Sequence, residues 1–422
     1  MAPCLPGPVP ASAPFEPLLR SSPRYKRGFS SNKRAADFPE AYCIARVCIV
    51  GPRHQIGYAG EIACSLCRAA ALSEFNLDPK ASRLHAPLPC QPGLDPRALF
   101  KEVSGYRQPR HARSVFEIAV TAPPFAFLWL LTWATLHAGY SLGFLFAIPA
   151  GAFLLRLFLI QHDCGHGAFF RGRAANDWTG RIIGVLTLTP YDYWRRSHAI
   201  HHASTGNLDA RGTGDVDTLT VAEFRALGRG RRFLYRLYRH PIVLFGLGPA
   251  YQFLLRHRFP IGMMGKGWKP WLSAMGTNVS FAAVAGALIW AMGWKLFLLV
   301  HLPITLVAAS LGVWFFYVQH QFEETHWDRG DEWCFHSSAI HGSSHYDLPP
   351  ILRWFSANIG IHHVHHLASR IPFYRLPEVL REVPVLARCS RISLVESFNA
   401  VRLVLWDEEK RRLVSFAEAR EG

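Results

Sequence analysis

The stretch LFLLVHLPITLVAASLGVWFFYV, residues 296–318, decides the fold. It carries no Asp, Glu, Lys or Arg, and roughly 20 apolar residues are enough for a helix to cross the hydrocarbon of a bilayer. Three further runs resemble it: IAVTAPPFAFLWLLTWATLHAG (118–139), LGFLFAIPAGAFLLRLFLI (142–160) and WLSAMGTNVSFAAVAGALIWAMGW (271–294). Only residues 140–141 separate the first two, and only residue 295 the last two, so the pattern predicts two helical hairpins. Pro123, Pro124, Pro149 and Pro303 fit such helices where packing satisfies the carbonyls they free. Arg156, near the end of the second run, is expected to reach the interface along its own stem. His301 lies inside the fourth run, where a polar group is costly, and is expected to hydrogen-bond a neighbouring helix.

Working outward, IIGVLTLTP (182–190) and PIVLFGLGPAYQFLL (241–255) are too short to span and read as interfacial helices. The predicted class is therefore an all-α integral membrane protein: four transmembrane helices in two hairpins, interfacial helices, and a polar cap. Composition agrees. Half of the 422 residues are hydrophobic, yet the formal net charge is +16, a combination that basic loops beside a membrane reconcile. The loop 161–270 holds sixteen Arg and Lys, residues 140–141 none, and the 295 turn only Lys295. That asymmetry predicts a cytoplasmic long loop, with both chain ends on the same side. The basic residues are dispersed and match no nucleic-acid module, so nucleic acid is not an expected partner.

Residues 1–90 differ from the rest. They are rich in Pro, Ser, Ala and Arg, contain no long apolar run, and hold six of the nine cysteines. Their expected role is a poorly structured, dispensable extension. A plastid transit segment and an over-long start are the alternatives, since Glu16 is the sole acid in residues 1–36. Cys64 and Cys67 have zinc-like spacing but no second pair. An odd cysteine count argues against an oxidised, secreted protein. The remaining chain divides into a membrane domain over 91–385 and a cytoplasmic C-terminal tail over 386–422.

Chemistry is concentrated in histidine. Of 21 histidines, 17 lie between residues 162 and 366. HDCGH sets His162 and His166 four residues apart, on one helical face. HAIHH places His198, His201 and His202 at i, i+3 and i+4, and HHVHH repeats that pattern with His362, His365 and His366. The predicted topology brings all three clusters to one membrane face, at the ends of the second and fourth spans. Neutral imidazole suits Fe, Zn, Cu and Ni. Eight such groups exceed the four to six positions of one ion, which argues for two.

These segments, HDCGHGAFF, HAIHHASTGNLDARGTGDVDTLT, YVQHQFEETHW and NIGIHHVHHL, resemble the membrane fatty acid desaturases, with boxes HxxxH, HxxHH and HxxHH. The wording around the boxes is similar to the Δ12/ω6-type acyl-lipid desaturases, over roughly residues 100 to 385. The resemblance implies two irons held by His162, His166, His198, His201, His202, His362, His365 and His366. It implies a ninth ligand just after the fourth span, where His320 stands. His363 occupies an x position of its box and is expected not to bind iron. Asn358 is a water-holding candidate. Asp163, Asp192, Asp209, Asp215, Asp217 and Glu323 are candidates to orient the imidazoles from outside.

The implied activity is O2-dependent introduction of a cis double bond into a long, lipid-linked acyl chain. Electrons would come from a separate ferredoxin or cytochrome b5, because no His-Pro-Gly-Gly segment is present. The alternatives are hydroxylation of an acyl chain, alkane or carotenoid on the same metals and, from another class, a membrane metal transporter or sensor. A zinc protease would need the Glu of H-E-x-x-H, which HDCGH lacks. Paired Glu-x-x-His motifs of carboxylate-bridged di-iron proteins are absent, EETH (323–326) being a single match. His326, His336, His341 and His345 are expected in surface or packing roles, and Trp327, Trp333 and Trp354 in an aromatic belt or an acyl tunnel.

Overall fold

A computed structural model of the protein describes residues 95–212 and 214–421. The extension expected over residues 1–90, with its Cys64 and Cys67, lies outside the described residues. The architecture is mostly helical. Helices α1 (Pro96–Val103), α2 (His111–Ala119), α3 (Ala122–His137) and α4 (Gly143–His166) lead to α5 (Arg173–Leu186) and α6 (Tyr191–Ser204). Short helices α7 (Val221–Ala226) and α8 (Arg229–Tyr238) precede a helical stretch of wider, π-type turns over residues 243–255. Then come α9 (Trp268–Met292), α10 (Trp294–His320), α11 (Phe335–His341), α12 (Pro350–Phe355), α13 (His362–Leu367), α14 (Leu376–Glu382) and α15 (Leu394–Ala400).

Among the described residues, four helical segments are long and apolar enough to cross a membrane: His111–His137, Gly143–His166, Trp268–Met292 and Trp294–His320. The first is interrupted near Thr121, where Pro123 and Pro124 begin a new helix; a proline in a first turn forfeits no helical hydrogen bond. The turn between the last two falls at Gly293 rather than residue 295, because its φ of +80° is open to glycine at little cost.

Helix α4 is the axis of the bundle, packed against α3, α5 and α10. A Cβ on Gly151 would stand 2.5 Å from Val307 Cγ1 and 3.0 Å from the Ile304 carbonyl. Only a missing side chain lets α4 and α10 approach this closely, as small residues do in lipid. Outer faces stay apolar and uncovered: Trp290 is 91% exposed, and Leu272 and Val279 are exposed too. A contiguous apolar surface of that kind belongs in lipid.

Arg156 departs from expectation. It does not reach an interface but is buried at 2% exposure, its Nη2 donating to the Glu117 carboxylate and its Nη1 to the Trp354 carbonyl. Nε donates to Thr121 Oγ1 at 3.1 Å, and the guanidinium lies 4.0 Å over the Trp354 ring. The partner Glu117, on α2, neutralises a charge that would otherwise be driven to water. His301 also differs: its Nε2 has no hydrogen-bond partner among the described residues, and its ring stacks 5.1 Å from Phe297.

Residues 386–421, expected as a tail, fold back onto the body. β1 (Leu219–Thr220) pairs in parallel with β4 (Leu405–Asp407), which pairs antiparallel with β5 (Arg412–Val414). β2 (His345–Asp347) pairs in parallel with β3 (Arg391–Ser393). Trp406 is fully buried and stacks 5.5 Å from Trp327, which places Trp327 in this sheet's core rather than in an aromatic belt.

Candidate metal centre

Each histidine box is placed by contacts that its own neighbours make. Tyr191 Oη donates to the Cys164 carbonyl at 2.8 Å, which fixes the start of α6 against the end of α4. Gln161 accepts from Thr187 Oγ1 at 2.7 Å and donates to the Thr189 carbonyl at 3.3 Å, securing the link between them. The Ser344 N–H donates to the Gln319 carbonyl at 2.9 Å, and the Ser344 carbonyl accepts from the His362 and His363 N–H groups. The end of α10 and the start of α13 are thereby tied through one residue.

The result is two groups of imidazoles. His162, His166, His198, His202 and His365 form one, and His201, His320, His362 and His366 the other; within each, one ring nitrogen per residue lies within 4.8 Å of all the others. The boxes do not map one to one onto the groups. At about 100° per residue, i+4 lies roughly 40° to one side of i and i+3 roughly 60° to the other. On α6, His198 and His202 therefore face one group while His201 faces the second. On α13, His362 and His366 face the second group while His365 faces the first. The first box keeps the single face expected of it, whereas the second and third boxes each present two edges, one to each group.

Nitrogens converge closely. In the first group His198 Nε2 stands 3.0 Å from His162 Nε2 and 3.1 Å from His202 Nε2, which is 3.2 Å from His365 Nε2. In the second, His320 Nε2 is 3.2 Å from His201 Nε2 and 3.1 Å from His362 Nε2, itself 3.1 Å from His366 Nε2. A neutral imidazole carries one N–H and one lone pair, so inward-facing nitrogens cannot all satisfy one another. His166 Nε2 is buried with no partner among the described residues. A cation resolves the conflict: two ligands about 2.1 Å from a common ion at right angles stand about 3.0 Å apart. The donor set fits a transition metal.

Two of the outer nitrogens are held, while those of His162, His362 and His365 have no hydrogen-bond partner among the described residues. His201 Nδ1 pairs with Asp215 Oδ1, and His320 Nδ1 with the Gly342 carbonyl at 3.4 Å. These contacts keep Nδ1 protonated and turn the Nε2 lone pairs inward. Burial, reinforced by neighbouring imidazoles, pushes the protonation of His198, His202, His362, His365 and His366 well below the usual histidine range. They are neutral at physiological pH, as a ligand must be.

Other candidates fall elsewhere. His363 points away from both groups, its Nε2 donating to the Leu386 carbonyl at 2.8 Å. Asp163 Oδ1 lies 3.4 Å from His162 Nδ1 but is not aligned as an acceptor, and Oδ2 accepts the Phe373 N–H at 2.7 Å. Asn358 donates to the Phe373 carbonyl at 3.3 Å. Asp217 lines the adjoining cavity, Asp192 and Asp209 pair with arginines, and Glu323 is exposed. Two aromatic walls were not foreseen. Trp194 stacks on His198 at 4.7 Å, and Phe316 packs 5.0 Å from His201 and 4.9 Å from His320. Each stands four residues before a histidine of its own helix, a spacing that could have marked it.

A cavity of about 550 Å³ opens beside His162, His198 and His362 and runs between α4 and α10, past Leu155, Phe158, Ala308 and Val313. Its size lies within the range of small-molecule sites.

The family model described as Fatty acid desaturase matches residues 139–393. A protein named fatty acid desaturase from Bacillus subtilis is 41% identical over 320 residues, covering 76% of this chain and 90% of its own. The chain belongs to the fatty acid desaturase family. It is thus an enzyme, an oxidoreductase, and the transporter or sensor reading falls away. An sn-1 acyl-lipid omega-3 desaturase (ferredoxin) from Synechocystis is 30% identical over 265 residues, 59% of this chain and 69% of its own. An sn-1 oleoyl-lipid 12-desaturase from the same organism is 28% identical over 230 residues, 54% of this chain and 64% of its own. The desaturases it resembles are thus named for both the omega-3 and the 12 position.

Proposed function

We propose that this desaturase introduces a cis double bond into a long, lipid-linked acyl chain, using two irons and electrons from a separate donor. The observation that carries the reading is the convergence of nine imidazoles in two groups, with His162, His198 and His362 lining a mostly apolar cavity. His162, His166, His198, His202 and His365 would hold one iron, and His201, His320, His362 and His366 the other. Such a centre supplies the oxidising power that side chains lack for removing hydrogen from an unactivated methylene. Overall, two acyl hydrogens, two electrons and two protons reduce one O2 to two waters.

The chain's own residues do the positioning. Leu155, Phe158, Ala308 and Val313 bind the acyl chain by apolar contact, and Trp194 and Phe316 shield the imidazoles from water. Asp215 holds the proton on His201 Nδ1. Ferredoxin is named with the Synechocystis relative, and ferredoxin or cytochrome b5 is the class of donor proposed. The sixteen Arg and Lys of the 161–270 loop support a cytoplasmic histidine face with basic ground for an acidic donor.

Gas chromatography–mass spectrometry of host lipids after expression tests the reading. A new cis-unsaturated acyl chain is expected, absent with His201→Ala or His365→Ala. A hydroxylated product with no alkene, or unchanged product from either variant, would contradict it.

A further inference from the structure

Helix α8 takes no part in the metal centre, yet its composition is pointed. RGRRFLYRLY holds Arg229, Arg231, Arg232 and Arg236 without an acid, and no Asp or Glu occurs anywhere between Glu223 and Glu323. At about 100° per residue, Phe233, Leu234 and Leu237 fall within one sector roughly 100° wide. Gly230 lies within that sector, and Arg229, Arg232 and Arg236 run along one border of it. The opposite side is anchored: Tyr235 Oη donates to the Val404 carbonyl at 2.7 Å and accepts from the Leu219 N–H at 3.1 Å.

A helix on a water-facing surface turns its apolar stripe inward. Here the stripe faces out, with Phe233 65%, Leu234 61% and Leu237 47% exposed. Exposed apolar side chains continue through Ile242, Leu247, Tyr251 and Leu255 of the following helical stretch. The inner side of that stretch packs on α10, Phe245 lying 5.1 Å from Trp314 and 5.3 Å from Tyr317. Those residues sit just before His320, so α8 joins the apolar belt at the histidine end of a spanning helix.

We propose that α8 lies in the membrane surface, its Phe233–Leu237 sector among acyl chains and its arginines on the phosphates of anionic phospholipids. Arginine stems and apolar side chains on adjoining sectors suit that position. An acidic protein would satisfy the arginines, but continuity with the exposed belt favours the bilayer. The inference needs the chain to be a membrane protein and does not depend on the metal assignment.

Arg229 and Arg231 make no ion pair among the described residues, so Arg229→Gln/Arg231→Gln can be made without disturbing an internal contact. Arg232, which donates to the Leu227 carbonyl at 2.7 Å, and Arg236, 4.6 Å over the Phe416 ring, are left intact. Hydrogen exchange of the full chain in nanodiscs, read by mass spectrometry, compares phosphatidylcholine alone with phosphatidylcholine mixed with phosphatidylglycerol. The α8 amides should exchange more slowly with the anionic lipid. The double variant should lose that difference, on a scale of about fivefold per arginine. Phe233→Ser/Leu237→Ser should quicken exchange in both lipids while α4 amides stay unchanged, showing that the fold holds. Equal α8 exchange in the two lipids would overturn the proposal. So would slowing seen only when an acidic ferredoxin-class protein is added.

Discussion

The buried pair of Arg156 and Glu117 gives a sharp quantitative test of how the bundle is held. The two side chains are 2% and 1% exposed, so Glu117→Gln strands a guanidinium inside the protein. Removing one partner of a buried pair costs about 3–5 kcal/mol. Arg156→Met is milder, because Arg113 Nε remains 2.6 Å from Glu117 Oε1 and keeps the carboxylate compensated. The lost hydrogen bonds to the Trp354 carbonyl and Thr121 set its cost at about 2–3 kcal/mol. With both changes neither charge is stranded, so the double variant should be more stable than the sum of the singles requires, by about 2 kcal/mol or more. Thermal unfolding in detergent reads all three, and Glu117→Gln should lower the midpoint by on the order of 10 °C. A Glu117→Gln midpoint equal to that of the unaltered protein would refute the reasoning. Strict additivity in the double variant would refute it equally.

Asp215→Ala frees His201 Nδ1 and should weaken metal retention about 10- to 100-fold, measured as iron loss to a chelator. His363→Gln should keep its full metal content while losing about 1–3 kcal/mol of stability with the Leu386 bond, read by metal analysis and thermal unfolding side by side. Burial, aided by Arg258 and Arg256, holds His257 at about 3. The unfolded chain takes up a proton at about 6.5 while the fold does not, so stability is full above that pH and declines between about 6.5 and 3. His257→Gln should flatten this acid limb in thermal unfolding across pH, and an unchanged slope would count against the assignment.

The spanning helices were legible because length and missing charge are properties of a single segment. Arg156 was misread for the opposite reason: Glu117 lies on another helix, 39 residues away, and no local pattern reveals it. The strands of the β1–β4–β5 sheet are two or three residues long, too short to show alternation. Their pairing of Leu219 with Leu405 is a long-range fact that only packing decides. In the candidate metal centre, the box spacing marked eight of the nine gathered histidines, while His320 and the setting apart of His363 came with the family resemblance. What it hid was their division, since both edges of an i, i+3, i+4 set look alike until helices are phased against one another. Asn358 and Asp163 both bond the backbone of Phe373, a segment that the folding of 367–376 brings to α4.

Metal content measured on the purified enzyme tests the central claim most directly. The two histidine groups predict two irons per chain, with His198→Ala releasing one and His320→Ala the other while each variant stays folded. A single metal per chain, zinc in both positions, or undiminished iron in both variants would contradict it.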